Sequence, residues 1–132
     1  MNKLYRDTIS LLSFILALIL GLTAASRLSR AEEQIEALRA PFHVGESVLA
    51  CGKVAQVTVR SEVAYINLDR PYPNDALALV IWQSELAAYE TKFGRLSTLE
   101  GKRVCARGTI EEYRKSLQLV LKNPQFLRLM IP

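Results

Sequence analysis

The sequence predicts an all-β domain with one helix, a five-stranded Greek-key barrel, behind an N-terminal hydrophobic helix and a short helical linker. Three observations carry this. From Pro41 onward the apolar residues recur with a period of two, the spacing of half-buried strands. The strand-like stretches come as three in a row, then one helical stretch, then two more. A parallel α/β sheet needs a crossover after each strand, and this order has only one helix to offer. The chain has 132 residues, 50% hydrophobic and 23% charged, which suits one domain of ordinary size and excludes the disordered class.

The first element is set apart by charge. Ile9 to Ala25 contains 17 residues without a charge, preceded by Lys3 and Arg6. A basic start, an apolar run and small residues at Thr23 and Ala25 make the layout of an export signal, cleaved after residue 25. The other reading is a retained anchor: a 17-residue run spans about 26 Å as a helix, close to the roughly 30 Å of a bilayer core. Under either reading the remainder is exported across a bacterial inner membrane. It is periplasmic, soluble or held to the inner membrane through residues 9–25. Residues 26–40 read as a helical linker, with Ile35 and Leu38 as a thin apolar stripe and Pro41 as its end.

The domain proper is expected over 41–132. Ser47 to Val59 is a long Val- and Ala-rich strand with a bend or bulge at Gly52. Arg60-Ser61-Glu62 connects it to Val63 to Leu68, where Ala64, Ile66 and Leu68 share one face. Asp69 to Asp75 is a Pro-, Asn- and Asp-rich loop, and Leu77 to Trp82 is a strand apolar on both faces. Ser84 to Phe93 reads as a helix capped by Ser84, with Leu86, Tyr89 and Phe93 on one side and Gly94 at its end. Arg103 to Glu112 alternates again, with Val104, Ala106, Gly108 and Ile110 inward. Arg114-Lys115-Ser116 turns into the last strand, where Leu117, Leu119 and Leu121 share a face before Asn123-Pro124 ends the sheet.

Five strands with a helix between the third and fourth match the OB-fold barrel. Cys51-Gly52-Lys53-Val54, Tyr65-Ile66-Asn67-Leu68, Arg70-Pro71-Tyr72-Pro73-Asn74, Val80-Ile81-Trp82, Gly101-Lys102-Arg103-Val104-Cys105 and Gly108-Thr109-Ile110 resemble the small exported bacterial OB-fold proteins of the nucleic-acid-binding superfamily. The resemblance covers about residues 47–127. It implies a ligand face on the second and third strands, bordered by the first hairpin loop and the loop between the last two strands. That face would hold Lys53, Arg60, Tyr65, Asn67, Trp82, Arg107, Tyr113, Arg114 and Lys115. Aromatic platforms for bases and cations for phosphates are what single-stranded nucleic acid requires. Residues 101–132 carry seven Lys/Arg against Glu111 and Glu112, whereas 41–100 carry five against seven acidic residues, so one edge is basic. The ligand expected is therefore single-stranded nucleic acid or another polyanion. The alternative is a non-catalytic protein-interaction or accessory domain of a cell-envelope membrane complex, with an envelope protein as partner.

Alternation places Cys51 and Cys105 on the outer face of the first and fourth strands, which are antiparallel neighbours in this topology, so a disulfide is expected. An enzyme is not expected. Glu111 and Glu112 point to opposite faces of one strand, and no phosphate loop, nucleophile elbow or zinc-ligand spacing is present. His43 reads as a solvated loop residue. Asp69, Asn74 and Asp75 are ordinary loop residues, so neither metal nor cofactor is expected.

Overall fold

A computed structural model describes residues 2–23 and 32–131. The chain divides into two units, one over residues 1–31 and one from Glu32 onward. In the first, α1 (Asn2–Thr23) is a helix of 22 residues. Among the described residues no helix is long and apolar enough to cross a membrane. Ala25, the expected cleavage site, and the start of the expected linker, 26–31, lie outside the described residues.

The second unit is built on β2 (Ser47–Val59), β3 (Val63–Leu68), β4 (Leu77–Trp82), α2 (Gln83–Phe93), β5 (Arg103–Tyr113) and β6 (Ser116–Val120). β2 pairs with β3, β3 with β4, β4 in parallel with β6, β6 with β5, and β5 with β2, which closes the barrel in the OB order. Two long strands make closure possible by changing partner midway. Ser47–Lys53 of β2 pairs with β5, and Val54–Val59 pairs with β3. A register shift between Val54 and Gln56 follows directly on this change, a little beyond Gly52, where the bend was expected. Gly52 has a different duty: a Cβ there would lie 3.1–3.2 Å from Asp69 Oδ1, Ala37 Cβ and Leu68 Cβ. At Gly108 the walls come closer still, and a Cβ would meet Leu119 Cδ2 at 2.8 Å.

The inward residues are those that alternation selects. Ala64, Ile66 and Leu68 of β3, Val104, Ala106 and Ile110 of β5, and Leu119 and Leu121 are all fully buried. Leu86 and Tyr89 of α2, with Leu96 and Leu99 of the following 3-10 turn (Leu96–Leu99), join the same core. The Tyr89 hydroxyl is buried without a hydrogen-bond partner among the described residues. Burial, and then the charge of Glu85, push its pKa well above the ordinary tyrosine value. α2 starts directly after β4, so extended Trp82 is its N-cap and Ser84 lies inside the first turn; the expected Ser84 cap is not made.

Two further corrections concern the ends. The linker expected to be helical contains a strand, β1 (Glu33–Glu36), parallel to Val48–Cys51 of β2, then a 3-10 helix over Ala37–Phe42. Pro41 sits inside that helix rather than ending it. The reason is burial: Ile35, Ala37 and Ala40 enter the barrel's core, worth more than a thin helical stripe in solvent. The sheet also continues beyond Asn123-Pro124. A short 3-10 turn (Pro124–Phe126) returns the chain as β7 (Leu127–Met130), antiparallel to Arg103–Ala106. The sheet therefore has seven strands, five in the barrel.

Cys51 and Cys105 face each other in the β2–β5 ladder and form the expected disulfide, with Cα atoms 4.0 Å apart. Both are buried, yet they lie outside the contiguous core, on the barrel's outer side.

Candidate nucleic-acid interface

Register decides which outward side chains share a face. Val63 stands opposite Trp82, Tyr65 opposite Val80, and Asn67 opposite Ala78. On the flanks Gln56 stands opposite Asn67 and Thr58 opposite Tyr65, while Gln118 stands beside Ala78 and Val120 beside Val80. These residues form one outer surface across β2, β3, β4 and β6. Tyr65 and Trp82 are diagonal cross-strand neighbours on it, within reach of one flat ligand. Trp82 is 52% exposed, so its ring is open to solvent rather than packed under α2. Tyr65 is half-buried, and Asn67 and Val80 are nearly covered.

The cations lie at the two ends of this surface. Arg60 is at the Trp82 end, where its backbone N–H donates to Val63 O (2.9 Å) and closes the β2–β3 hairpin. At the far end the β5–β6 hairpin turns through Arg114 and Lys115 alone, with φ of 47° and 63°. Two successive left-handed residues are the geometry of a type I′ turn, which favours Asn and Gly; long cations there cost stability. Arg114 lies over the ring of Tyr113, its guanidinium carbon 5.3 Å from the ring centroid, a cation–π contact. The loop between β3 and β4 closes this end, with Tyr72 N–H donating to Gln56 Oε1 (3.0 Å). From the Trp82 row to the Ala78 row is four residues of strand, about 13 Å, and the hairpin tip lies beyond.

The nine residues expected on one face therefore divide. Tyr65, Asn67 and Trp82 are on it, and Arg60, Tyr113, Arg114 and Lys115 are at its margins. Lys53 and Arg107 do not belong to it. They lie on the disulfide side of the barrel, where Lys53 stands opposite Arg103 and Arg107 opposite Leu49. There β1, which the sequence reading missed, supplies carboxylates: Arg107 Nε is 2.6 Å from Glu32, and Arg103 pairs with Glu36. The hydrogen bond to Glu36 raises the Arg103 pKa further, so that charge is fixed. Two of the seven cations of the basic edge are thereby neutralised.

A third group was also missed. Glu33 of β1, His43 after the 3-10 helix and Glu46 before β2 bring ligand atoms within 4.8 Å of one another. The spacing His43-x-x-Glu46 was available in the sequence; the partnership with Glu33 depends on the β1–β2 pairing.

No family model matches the chain, and no curated protein matches it. Solved structures do resemble it. An OBody bound to hen egg-white lysozyme superposes with a TM-score of 0.54 at 16% identity, covering 75% of this chain and 94% of that one. A second OBody bound to hen egg-white lysozyme gives 0.55 at 14% identity, covering 76% and 95%. The structure of yeast Stn1 and Ten1 gives 0.54 at 12% identity, covering 85% and 70%. At such identities the likeness shows the fold, and the fold is the OB barrel that the strand order defines.

Proposed function

We propose that this chain is an exported OB-fold binding module whose ligand is single-stranded nucleic acid lying across β3 and β4. The observation that carries the proposal is the diagonal pair Tyr65 and Trp82 on one face of a closed OB barrel, with cations at both ends of that face. Aromatic rings stack bases without regard to sequence, and end cations engage the phosphates of a strand that overruns the face. The proposed role is binding without catalysis. Export is part of the proposal and rests on the uncharged run after Lys3 and Arg6 and on the buried disulfide.

One observation favours a second reading. β3, β4 and β6 carry no charged residue, so the face itself is neutral, with aromatic, aliphatic and amide side chains together. That surface suits a protein partner, as in an accessory domain of an envelope complex.

Fluorescence anisotropy with a mixed-sequence single-stranded 15-mer separates the two. With Arg60, Arg114 and Lys115 as contacts, log K should fall with log salt at a slope of about −2. Replacing Arg114 and Lys115 by Ala should flatten that slope, whereas Tyr65→Ala or Trp82→Ala should weaken binding about 5- to 100-fold at unchanged slope. Absence of binding at tens of micromolar protein and low salt overturns the nucleic-acid reading in favour of the protein partner.

A further inference from the structure

We propose that Glu33, His43 and Glu46 form a binding site for a divalent first-row transition ion, with Zn²⁺ the reference case. The three side chains come from two segments, β1 and the turn ahead of β2, that the fold locks together. Glu33 lies in β1, opposite Val48 in the parallel β1–β2 ladder. His43 ends the Ala37–Phe42 helix, its N–H donating to Ala40 O at 3.0 Å. Glu46 is held by its own N–H to His43 O (3.0 Å) and by Ile110 N–H to its carbonyl (3.1 Å). Between them Gly45, at φ +82°, donates to Ile110 O at 2.7 Å, so the turn carrying both ligands is pinned to β5.

The donor set, rather than its acidity, selects the ion. An imidazole nitrogen with two carboxylates suits Zn²⁺, Co²⁺ or Ni²⁺ and not Mg²⁺ or Ca²⁺, which take oxygen ligands. Charge points the same way. Of the three glutamates in and beside β1, Glu32 is neutralised by Arg107 and Glu36 by Arg103. Glu33 has no cationic partner among the described residues, and Glu46 pairs only with His43. Two carboxylates against a neutral imidazole leave two negative charges for a dication to balance.

The distances need only small adjustment. His43 Nδ1 is 2.8 Å from Glu46 Oε2. Two ligands of one tetrahedral Zn²⁺ stand about 3.3 Å apart, so the ion enters by opening that contact slightly and drawing Glu33 inward. Glu33 and Glu46 are exposed and can turn without disturbing the core, while His43 is largely enclosed, its side chain 16% exposed. Three protein ligands leave a fourth position open to water.

The chain's composition makes the test unambiguous. His43 is the sole histidine, and both cysteines are in the disulfide, so no other imidazole and no thiolate competes. The probes are Zn²⁺ and Co²⁺ titrated into the full chain, read by calorimetry and by the His43 imidazole resonances. The expected result is one saturable site that shifts the His43 signals, weakened at least about tenfold by His43→Ala and severalfold by Glu33→Gln or Glu46→Gln. Mg²⁺ in tenfold excess should not displace Zn²⁺. Zn²⁺ binding that survives His43→Ala within twofold, displacement by Mg²⁺, or no saturable binding at millimolar Zn²⁺ would each overturn the proposal. The same thermal melting for each variant without metal shows that loss of binding is not loss of fold.

Discussion

Gly108→Ala tests the packing argument on which the barrel rests. The new Cβ would lie 2.8 Å from Leu119 Cδ2 and 3.0 Å from its Cγ, inside van der Waals contact. Leu119 is fully buried on β6, among residues with no free volume to receive a displaced isobutyl group. Overpacking of this kind costs about 1–3 kcal/mol. Against it stands the smaller backbone entropy that alanine loses on folding, about 0.4–1 kcal/mol in its favour. The clash wins, and the net loss should be about 1–2 kcal/mol, a fall in melting temperature of about 5–15 °C for a domain of this size. Leu119→Ala alone should cost about 2–5 kcal/mol through the cavity it leaves. In the double variant the alanine at 108 fills part of that cavity, so the two losses should fall short of their sum by at least about 1 kcal/mol. Denaturant melts of the four proteins give the cycle. Additive losses, or a single Gly108→Ala variant as stable as the parent, would refute the close approach of β5 and β6.

Two further outcomes follow from the interior. The Cys51–Cys105 bond closes a loop of 54 residues, so the chain-entropy account gives it about 4 kcal/mol; the Cys51→Ala/Cys105→Ala double variant should lose most of that in denaturant melts. Protein recovered from its own compartment should titrate no thiol when denatured without reductant, and its intact mass separates a cleaved signal (residues 1–25 lost) from a retained anchor (residues 1–25 kept); free thiols would argue against export. Tyr89→Phe removes a buried hydroxyl that makes no close hydrogen bond among the described residues, so it should leave stability unchanged or raise it slightly, and a loss above about 1 kcal/mol would show that the hydroxyl is bonded to the Asn123 backbone.

How far the sequence carries depends on whether a feature is local. The barrel strands were legible because inward and outward residues alternate along the chain itself: Ala64, Ile66 and Leu68 declare their face without reference to any other strand. β1 was not, because Glu-Gln-Ile-Glu holds a single apolar residue and its ion pairs reach β5, Glu36 and Arg103 being 67 residues apart. β7 was hidden behind Asn123-Pro124, which reads as a stop but is a three-residue 3-10 turn whose Asn123 side chain accepts from Gln125 N–H at 2.8 Å.

The same distinction explains the binding face. Alternation separates inside from outside, and it placed Cys51 and Cys105 on the outer side, where they form the disulfide. It says nothing of where on the circumference an outward residue falls. That depends on where β2 and β5 change partner, and on β2 the change falls between Lys53 and Val54, with a bulge directly after it. Lys53, on one side of that point, shares its surface with the disulfide and Arg103; Gln56 and Thr58, on the other, share theirs with Asn67 and Tyr65. One bulge thus divides the outward cations into two populations. Those beside β1 are held by Glu32 and Glu36, and those at Arg60, Arg114 and Lys115 remain at the ends of the aromatic face. A net basic charge summed along the sequence joins what the barrel keeps apart, so the salt dependence of binding should count three cations and not the larger number the composition suggests.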